Sequence, residues 1–381
     1  MANVGKRTRS GRAKLEPKWC ESLTPDQARQ QHGRSICFRV AQTPREFEFY
    51  CIPFDFGNKQ PKNPDVGEEL PTGILPFQIN GNIPWLSTFA VAGSSLFCFG
   101  GKEMLASSSR RSLSSAIYRY DDTTGDIRGR WYTHSGFNMI VARYGPQIIA
   151  MQCGKLLVMG GGMKKIPKDG QWAEVFDPYL NFCSPESCLP IELQCSPLVV
   201  TAALRSSNQI LVASTESNAA FVCDVTTLVW DKFVQSDEFV FGKAGSSNSM
   251  PFSYLKGEAA VVRGTILCWF NFRGNLLRAY DMKLKMWFEK PIIGLKKVGK
   301  LRPDIYDNDF SLLPLDYDHI CLLWFDHSPY APETSYRVLH CIKVLVSIED
   351  ARKPPIFKAS VISFRSYVLK QQFGNIQAVV L

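Results

Sequence analysis

Short apolar runs of strand length, separated by Gly, Asn, Asp and Ser, recur along most of the chain. Five segments share one order: an apolar run, a tight turn, then a second and stronger apolar run. They are residues 87–101, 146–162, 197–215, 257–271 and 309–326. The second runs follow one another at intervals of about 55 residues, so a repeated unit makes up the chain.

Each of the first four units continues in the same way. A short aromatic or β-branched run ends in an acidic residue, and a turn and a further aromatic residue follow, as in Tyr280-Asp281 and Trp287. Such a unit is typical of a four-stranded antiparallel meander. A helical solenoid is excluded because the apolar runs are short and lack a period of 3.6 residues. The helix that the pattern predicts is Thr24–Gln31, where Thr24 and Gln27 suit a capping box.

A single meander cannot bury both of its faces, but meanders packed radially around an axis can. The sequence therefore predicts an all-β protein, a β-propeller of about five to six four-stranded blades. The repeats fall near residues 87–135, 146–185, 197–235, 257–290 and 309–368. Residues 35–52, with C-terminal strands near 357–369 and 375–380, are expected to form a sixth blade. This blade, built from both ends of the chain, would remove exposed sheet edges.

The remaining segments are assigned by composition. Residues 1–33 are expected to be a basic, mostly disordered tail with one short helix, and residues 34–381 to form the propeller. Within the propeller, residues 54–84 contain five prolines and are expected to be a connector.

The repeat resembles the kelch family of β-propellers, in which strand two of a blade ends in a Gly-Gly pair. The matching residues are the glycines Gly100, Gly101, Gly160 and Gly161, the strand-three aromatics Tyr120, Phe176 and Tyr280, and the later tryptophans Trp131, Trp230 and Trp287. Units three to five lack the diglycine. The resemblance implies that the glycines adopt positive φ where blades crowd, and that the aromatic side chains fill the spaces between blades.

The repeats also resemble the propeller part of plant F-box/kelch proteins. An F-box requires a helical, Leu- and Pro-marked segment ahead of the blades. Residues 1–33 offer a basic tail and one short helix, so no F-box is visible there.

Composition narrows the class of protein. Hydrophobic residues make up 45% of the 381 residues and charged residues 21%, which is globular and not disordered composition. No apolar run has the length of a membrane helix, and the first residues do not resemble a secretory signal. The 12 cysteines lack zinc-ligand spacing, including the cluster Cys183, Cys188 and Cys195. We therefore expect structural thiols, a reducing compartment, no metal and no membrane partner.

The net charge of +9 is concentrated at the start of the sequence. Residues 1–18 carry six basic side chains and one acidic one, so they supply more than half of it. Such an arm is either a nuclear import signal or a solvated terminus. We expect a cytoplasmic or nuclear protein, with no nucleic-acid-binding groove.

Loops that join strands two and three of a blade lie on one face of a propeller, together with the loops between blades. This face is the default binding surface. Its predicted cations are Lys102, Arg110, Arg111, Lys164, Lys165, Lys168 and Arg273. The hypothesis is a monomeric, non-catalytic protein–protein interaction module that binds a partner protein of acidic character. Ordinary solvated loops are the other interpretation, because acidic residues lie on the same face.

Two further functions remain open at this point. Galactose oxidase, a kelch relative, implies a copper site of two His, two Tyr and a Cys near the axis. His134 beside Tyr132, and His327 beside Tyr330, are the candidates here, but neither has a matching second His with a partner Cys. We therefore expect no catalytic residue and no cofactor. The alternatives are a carbohydrate-active or copper-oxidase-like enzyme, or a substrate adaptor for a ubiquitin ligase.

Overall fold

The fold is seen in a computed structural model of the chain. It describes the following residues: 19–22, 24–25, 27, 30, 34–43, 46–53, 72–80, 82–104, 111–121, 130–151, 153–163, 172–186, 190, 193, 199–204, 208–214, 220–233, 259–271, 276–284, 286–288, 310–327, 336–349, 356–370 and 376–381.

Strands dominate the described residues. Before the first repeat lie β1 (Trp19–Glu21), β2 (Ser35–Thr43), β3 (Glu46–Pro53), β4 (Thr72–Leu75) and β5 (Gln78–Asn80). The first repeat holds β6 (Thr88–Ala92), β7 (Ser95–Phe99), β8 (Lys102–Met104), β9 (Arg111–Leu113), β10 (Ala116–Asp121) and β11 (Arg130–Asn138). The second holds β12 (Arg143–Tyr144), β13 (Gln147–Ala150), β14 (Leu156–Met159), β15 (Gly162–Met163), β16 (Ala173–Asp177) and β17 (Phe182–Glu186).

The later repeats are simpler. The third contains β18 (Val199–Leu204), β19 (Gln209–Ser214), β20 (Ala220–Asp224) and β21 (Trp230–Lys232). The fourth contains β22 (Ala260–Val262), β23 (Ile266–Asn271), β24 (Leu276–Asp281) and β25 (Met286–Trp287). The fifth contains β26 (Phe310–Pro314), β27 (His319–His327), β28 (Tyr336–Glu349) and β29 (Ile356–Lys370), and β30 (Ile376–Val380) follows it.

Six sheets form a closed ring, which confirms the predicted all-β propeller and fixes its blade number at six. The innermost strands β6, β13, β18, β22, β26 and β30 contact one another in this order, and β30 contacts β6. The buried apolar side chains lie in clusters between neighbouring blades. A ring of this kind buries both faces of every sheet, which one meander alone could not do.

The sixth, closing blade has the strand order β30-β2-β3-β5, so it combines distant parts of the chain as expected. Residues 357–369 are expected both in the repeat near 309–368 and in the closing blade; the structure shows the first placement, and the second is wrong. This segment lies in β29, which pairs with β28 from Glu349↔Ile356 to Tyr336↔Lys370 and is the fourth strand of the fifth blade. A long hairpin between neighbouring segments satisfies its backbone locally, and only β30 remains for the closing blade.

Part of residues 54–84, expected to be connector, forms strands at two sheet edges. Strand β5 pairs with β3 and completes the closing blade. Strand β4 pairs in parallel with β29, and β1 pairs in parallel with β4, so the fifth blade has six strands. Both additions cover backbone groups that would otherwise form open edges.

The segment predicted to be helical has the expected hydrogen bonds at its start. Pro25, Gln27 and Gln30 are helical. The Thr24 hydroxyl oxygen accepts a hydrogen bond from the Gln27 amide at 3.3 Å, and the Gln27 side chain accepts one from the Thr24 amide at 3.0 Å. These are the two bonds of a capping box. In the part of the chain described, no helix combines the length and the apolar character needed to cross a bilayer.

A buried arginine joins the closing blade to the first blade. Arg39 on β2 donates to the side-chain oxygen of Gln377 on β30, from Nε at 3.0 Å and from Nη2 at 2.7 Å. It also donates to the hydroxyl of Ser87 at 2.6 Å and to the Ser87 carbonyl. The Gln377 oxygen accepts a further hydrogen bond from the Phe89 amide at 3.2 Å. Three segments of the chain are therefore joined at one guanidinium group.

Candidate functional site

The face predicted to bind a partner carries both glycine pairs, and we call it the diglycine face. Gly100 and Gly101 follow β7 with φ of 60° and 114°, and Gly160 and Gly161 follow β14 with φ of 62° and 80°. A Cβ atom on Gly100 would lie 2.2 Å from the carbonyl oxygen of Arg143. The glycines are therefore required both by positive φ and by the close approach of the chain between blades.

Arg143, in the connection between the first and second blades, contacts both glycine pairs. Its carbonyl accepts a hydrogen bond from the Gly101 amide at 2.8 Å. Its Nη1 atom donates to the carbonyls of Gly160 at 3.2 Å and Trp172 at 2.7 Å. Arg143 is fully buried, and Nη2 lies 2.8 Å from Glu174 Oε1. One residue thus connects the two blades beneath the diglycine face, through its backbone to the first and its side chain to the second.

The electrostatics of this pair are those of a buried structural contact. Burial raises the pKa of the Glu174 carboxyl, while Arg143 and the Ile140 amide, which donates to Glu174 at 2.6 Å, oppose the rise. Burial lowers the pKa of Arg143, and Glu174 opposes that fall. Burial also raises the pKa of the neighbouring Cys183 thiol. The hydrogen bonds named above all join Arg143 and Glu174 to other protein groups, and both side chains are buried. The pair therefore holds the neighbouring backbone segments in place and is not exposed to solvent.

A two-stranded extension lies on the diglycine face at the first blade, between β7 and β10. Strands β8 and β9 pair antiparallel immediately beyond Gly101. Trp85 and Lys102 exchange backbone hydrogen bonds of 3.2 and 2.6 Å at its base. The Lys102 ammonium lies 3.6 Å from the centroid of the Tyr144 ring, which is cation–π geometry. Neighbouring backbone and an aromatic ring therefore hold the base of the extension in place.

The structure describes two of the seven predicted cationic residues. Lys102 is half-buried on Tyr144, and the backbone of Arg111 pairs with Met104 in the extension. The other five lie outside the described residues: Arg110, Lys164, Lys165, Lys168 and Arg273.

The predicted repeat aromatics lie where neighbouring blades meet. Tyr120 contributes to the cluster between the first and closing blades, Phe176 to that between the first and second, and Tyr280 to that between the third and fourth. Trp131 and Trp230 are half-buried against such clusters. The backbone of Trp287 pairs with Tyr280, and its side chain is outside the described residues.

The opposite face carries the repeated acidic residues. Asp177, Asp224 and Asp281 each accept hydrogen bonds from the amides two and three positions later, at 2.8 to 3.1 Å. These are Asx turns that join strands three and four. In these three repeats the acidic residue noted in the sequence therefore has a turn-forming role, and the segment after Asp121 in the first repeat lies outside the described residues. Tyr179 and Leu180, at the tip of one such turn, are 81% and 74% exposed.

The histidines do not form a common site in the part of the chain described. His340 is buried between the rings of Trp324 and Phe364. His319 lies 2.8 Å from Asp316 and 3.0 Å from Asp318. These three are the possible metal-ligand group among the described residues, but Asp316 already accepts amides of its own turn. The side chains of His134 and His327, candidates for the copper-site alternative, are outside the described residues.

Reasoning from the sequence missed Arg39, Arg143 and Glu174. A signal was present, since each is a charged residue within a run of strand residues. A buried charge must be paired or hydrogen-bonded, so such positions indicate contacts between elements.

Comparison with known proteins gives structural similarity only. No protein-family model and no curated protein sequence matches the chain. Among solved structures, YjhT is 13% identical with a TM-score of 0.46, covering 75% of this chain and 86% of its own. A functionally unknown protein from Desulfotomaculum acetoxidans is 8% identical with a TM-score of 0.40, covering 80% and 74%. A copper-bound fungal alcohol oxidase of the AA5 family is 9% identical with a TM-score of 0.40, covering 92% of both chains.

Proposed function

We propose that the protein is a non-catalytic interaction module whose diglycine face binds an acidic surface of a partner protein. The observation that carries the proposal is the β8–β9 extension. It lies on this face at the first blade, and its base is fixed by Trp85, Gly101 and Tyr144.

A hairpin whose base is held in place suits recognition, because residues that are already ordered lose little conformational entropy when a partner binds. Lys102 lies at the base of the extension and Arg111 opposite Met104 on its second strand. Arg110 directly precedes Arg111 in the sequence. By sequence, this segment therefore carries three basic residues beside the single acidic residue Glu103.

The basic residues that follow the two glycine pairs favour an acidic partner. Lys164, Lys165 and Lys168 follow the second diglycine just as Lys102, Arg110 and Arg111 follow the first. Complementary charge across an interface accelerates association and selects the partner. The resemblance to kelch propellers supports the same face as the binding surface. Adaptor function in a ubiquitin ligase would be one use of such a module.

The test compares two charge-reversal variants of the full chain. One carries Arg110→Glu and Arg111→Glu on the extension. The matched control carries Lys155→Glu and Lys283→Glu, two lysines at turns of the opposite face. Partners are captured from extract by cross-linking, identified, purified and titrated against wild type and both variants, with thermal denaturation to show that each variant is folded.

We expect the extension variant to lose affinity for the purified partner and the control to retain it. Affinity of the wild type should fall with increasing salt, because exposed charges are screened. Equal binding by both variants, or equal loss in both, would contradict the proposal.

A further inference from the structure

Two cysteines face each other across the hairpin of the closing blade. Cys37 on β2 is the direct partner of Cys51 on β3, and their sulfur atoms lie 2.7 Å apart without being joined in a disulfide. Both side chains are buried.

Backbone hydrogen bonds define the kind of cross-strand pair that they form. Ser35 exchanges hydrogen bonds with Leu381, so the backbone polar groups of Ser35 point away from β3. Those of Cys37, two residues later, point the same way, because directions alternate along a strand. The Cys51 amide likewise points away from β2 and donates to the Ser22 hydroxyl at 2.9 Å. Cys37 and Cys51 are therefore a non-hydrogen-bonded pair.

This geometry suits a covalent bond between the two sulfurs. Opposed residues of a non-hydrogen-bonded pair have Cα atoms about 4.5 Å apart. That distance falls inside the range of roughly 4.4–6.8 Å seen for disulfides. The backbone need not move far for the thiols to join.

We propose that Cys37 and Cys51 form a dithiol–disulfide site that is oxidised by a small-molecule disulfide such as glutathione disulfide. One cysteine, as thiolate, attacks a sulfur of the oxidant, forms a mixed disulfide and releases one glutathione thiolate. The second cysteine attacks the protein-bound sulfur and releases the second glutathione. The protein loses two electrons and two protons, and the oxidant becomes two glutathione molecules.

Access to this site depends on the contact between the closing and first blades. Cys37 and Cys51 belong to the apolar cluster between these blades, so an oxidant reaches them when the blades separate. Hydrogen bonds from Arg39 to Ser87 and from Phe89 to Gln377 hold that contact together. Oxidation should therefore be slow in the closed ring and faster when these bonds are weakened.

A second pair of buried cysteines provides an internal control. The sulfurs of Cys321 and Cys341 lie 3.4 Å apart, but Cys321 faces Lys343 and Cys341 faces Leu323. These cysteines are diagonal neighbours, which lie farther apart in the backbone than directly opposed residues. A disulfide between them would require the strands to shift.

The experiment treats the reduced full chain with glutathione disulfide under native conditions. Remaining thiols are blocked after acid quenching, and the intact mass and the digested peptides are measured. Apart from any glutathione bound to the exposed Cys20 and Cys153, we expect two fewer blocked thiols than in untreated protein, a peptide linking Cys37 to Cys51, and blocked thiols at Cys321 and Cys341. The oxidised protein should unfold at a higher temperature than the reduced one, because the link restricts the unfolded chain. Alkylation of both Cys37 and Cys51 after the treatment would overturn the proposal, as would linkage to other cysteines.

Two variants complete the test. Cys51→Ala should abolish the loss of two hydrogen atoms and the linked peptide. Any Cys37 that reacts in this variant should keep a bound glutathione, because the second thiol that would displace it is missing. Gln377→Ala should increase the oxidation rate several-fold, because the contact between the blades is weakened. An unchanged rate in Gln377→Ala, measured alongside a lowered unfolding temperature, would show that blade separation does not control access and would overturn that part of the proposal.

Discussion

The side-chain oxygen of Gln377 accepts two hydrogen bonds from the guanidinium group of Arg39, 338 positions earlier in the chain. Arg39 lies on β2 directly opposite Gln377 on β30, and both are adjacent to the first strand of the first blade. The contact thus lies where the propeller ring closes. It stabilises the closing blade, whose strands come from distant parts of the chain.

Replacing Arg39 by Met should destabilise the protein by about 3 kcal/mol, because buried partners of a charged donor lose their hydrogen bonds. Ser87 and Gln377 would be left without the guanidinium. Urea denaturation of wild type and variant measures the difference. Arg119→Met is the control, since Arg119 is half-exposed and bonds the Ser95 hydroxyl at 3.2 Å. Equal losses in the two variants would contradict the role assigned to Arg39.

Alanine at the diglycine should be far more costly than alanine at another glycine of positive φ. Gly93 has φ of 58° and nothing within 4 Å of a new Cβ, so Gly93→Ala should cost about 1–2 kcal/mol of backbone strain. Gly100→Ala adds a collision with the Arg143 carbonyl to similar strain, and a larger loss should appear in the unfolding midpoint. Similar midpoints for the two variants would show that the close approach is unimportant.

Trp131→Ala should destabilise the protein by about 3 kcal/mol, the low end for removal of a large aromatic, because the indole is half-buried. The indole ring lies 4.9 Å from the ring of Phe49 in the closing blade and 5.5 Å from that of Tyr120. Thermal denaturation gives the measurement, and Tyr179→Ala at an exposed turn should change little. A Trp131→Ala midpoint close to that of wild type would argue against a wedge role between blades.

The Asx turns should make stability depend on pH in acid. Hydrogen bonds from the amides of Thr227 and Thr226 lower the pKa of Asp224. A carboxyl with a lowered folded-state pKa stabilises the protein above its unfolded pKa of about 3.9, and this stabilisation is lost as the pH falls through the folded-state value. Asp224→Asn keeps an acceptor but removes the ionised form.

Wild type should therefore be more stable than Asp224→Asn at neutral pH, and the difference should vanish in strong acid. The test is the urea midpoint of both proteins, measured from neutral pH down to strong acid. A difference that is independent of pH would assign the effect to shape and not to charge.

The sequence was informative wherever a feature recurs in each unit. Strand runs, the acidic residue before each turn and the aromatic after it repeat because every blade has the same local pairing and the same neighbours. The glycine pairs occur in the first two units only, and they were recognised through the resemblance to kelch repeats. The strands at the C-terminal end were harder to assign from the sequence. Both β29 and β30 are compatible with a place in the closing blade, and only the pairing of β29 with β28 assigns it to the fifth blade.

The candidate site was predictable only in outline. Lys102 could be assigned to the loop side of the first blade from its position after Gly101, whereas its contact with Tyr144 joins two blades. Arg143 and Glu174 gave a weaker signal, because a lone charge in a strand does not name its partner.

By itself the sequence determined the strands, the four-stranded unit and its repetition, because hydrophobic alternation and turn residues act over a few positions. Tertiary structure alone decided that six blades close the ring, that β30 and not β29 supplies the closing strand, and that Arg39, Arg143 and the Cys37–Cys51 pair meet their partners. These outcomes depend on contacts between residues far apart in the chain, and the pattern within one unit does not encode which distant unit will be its neighbour.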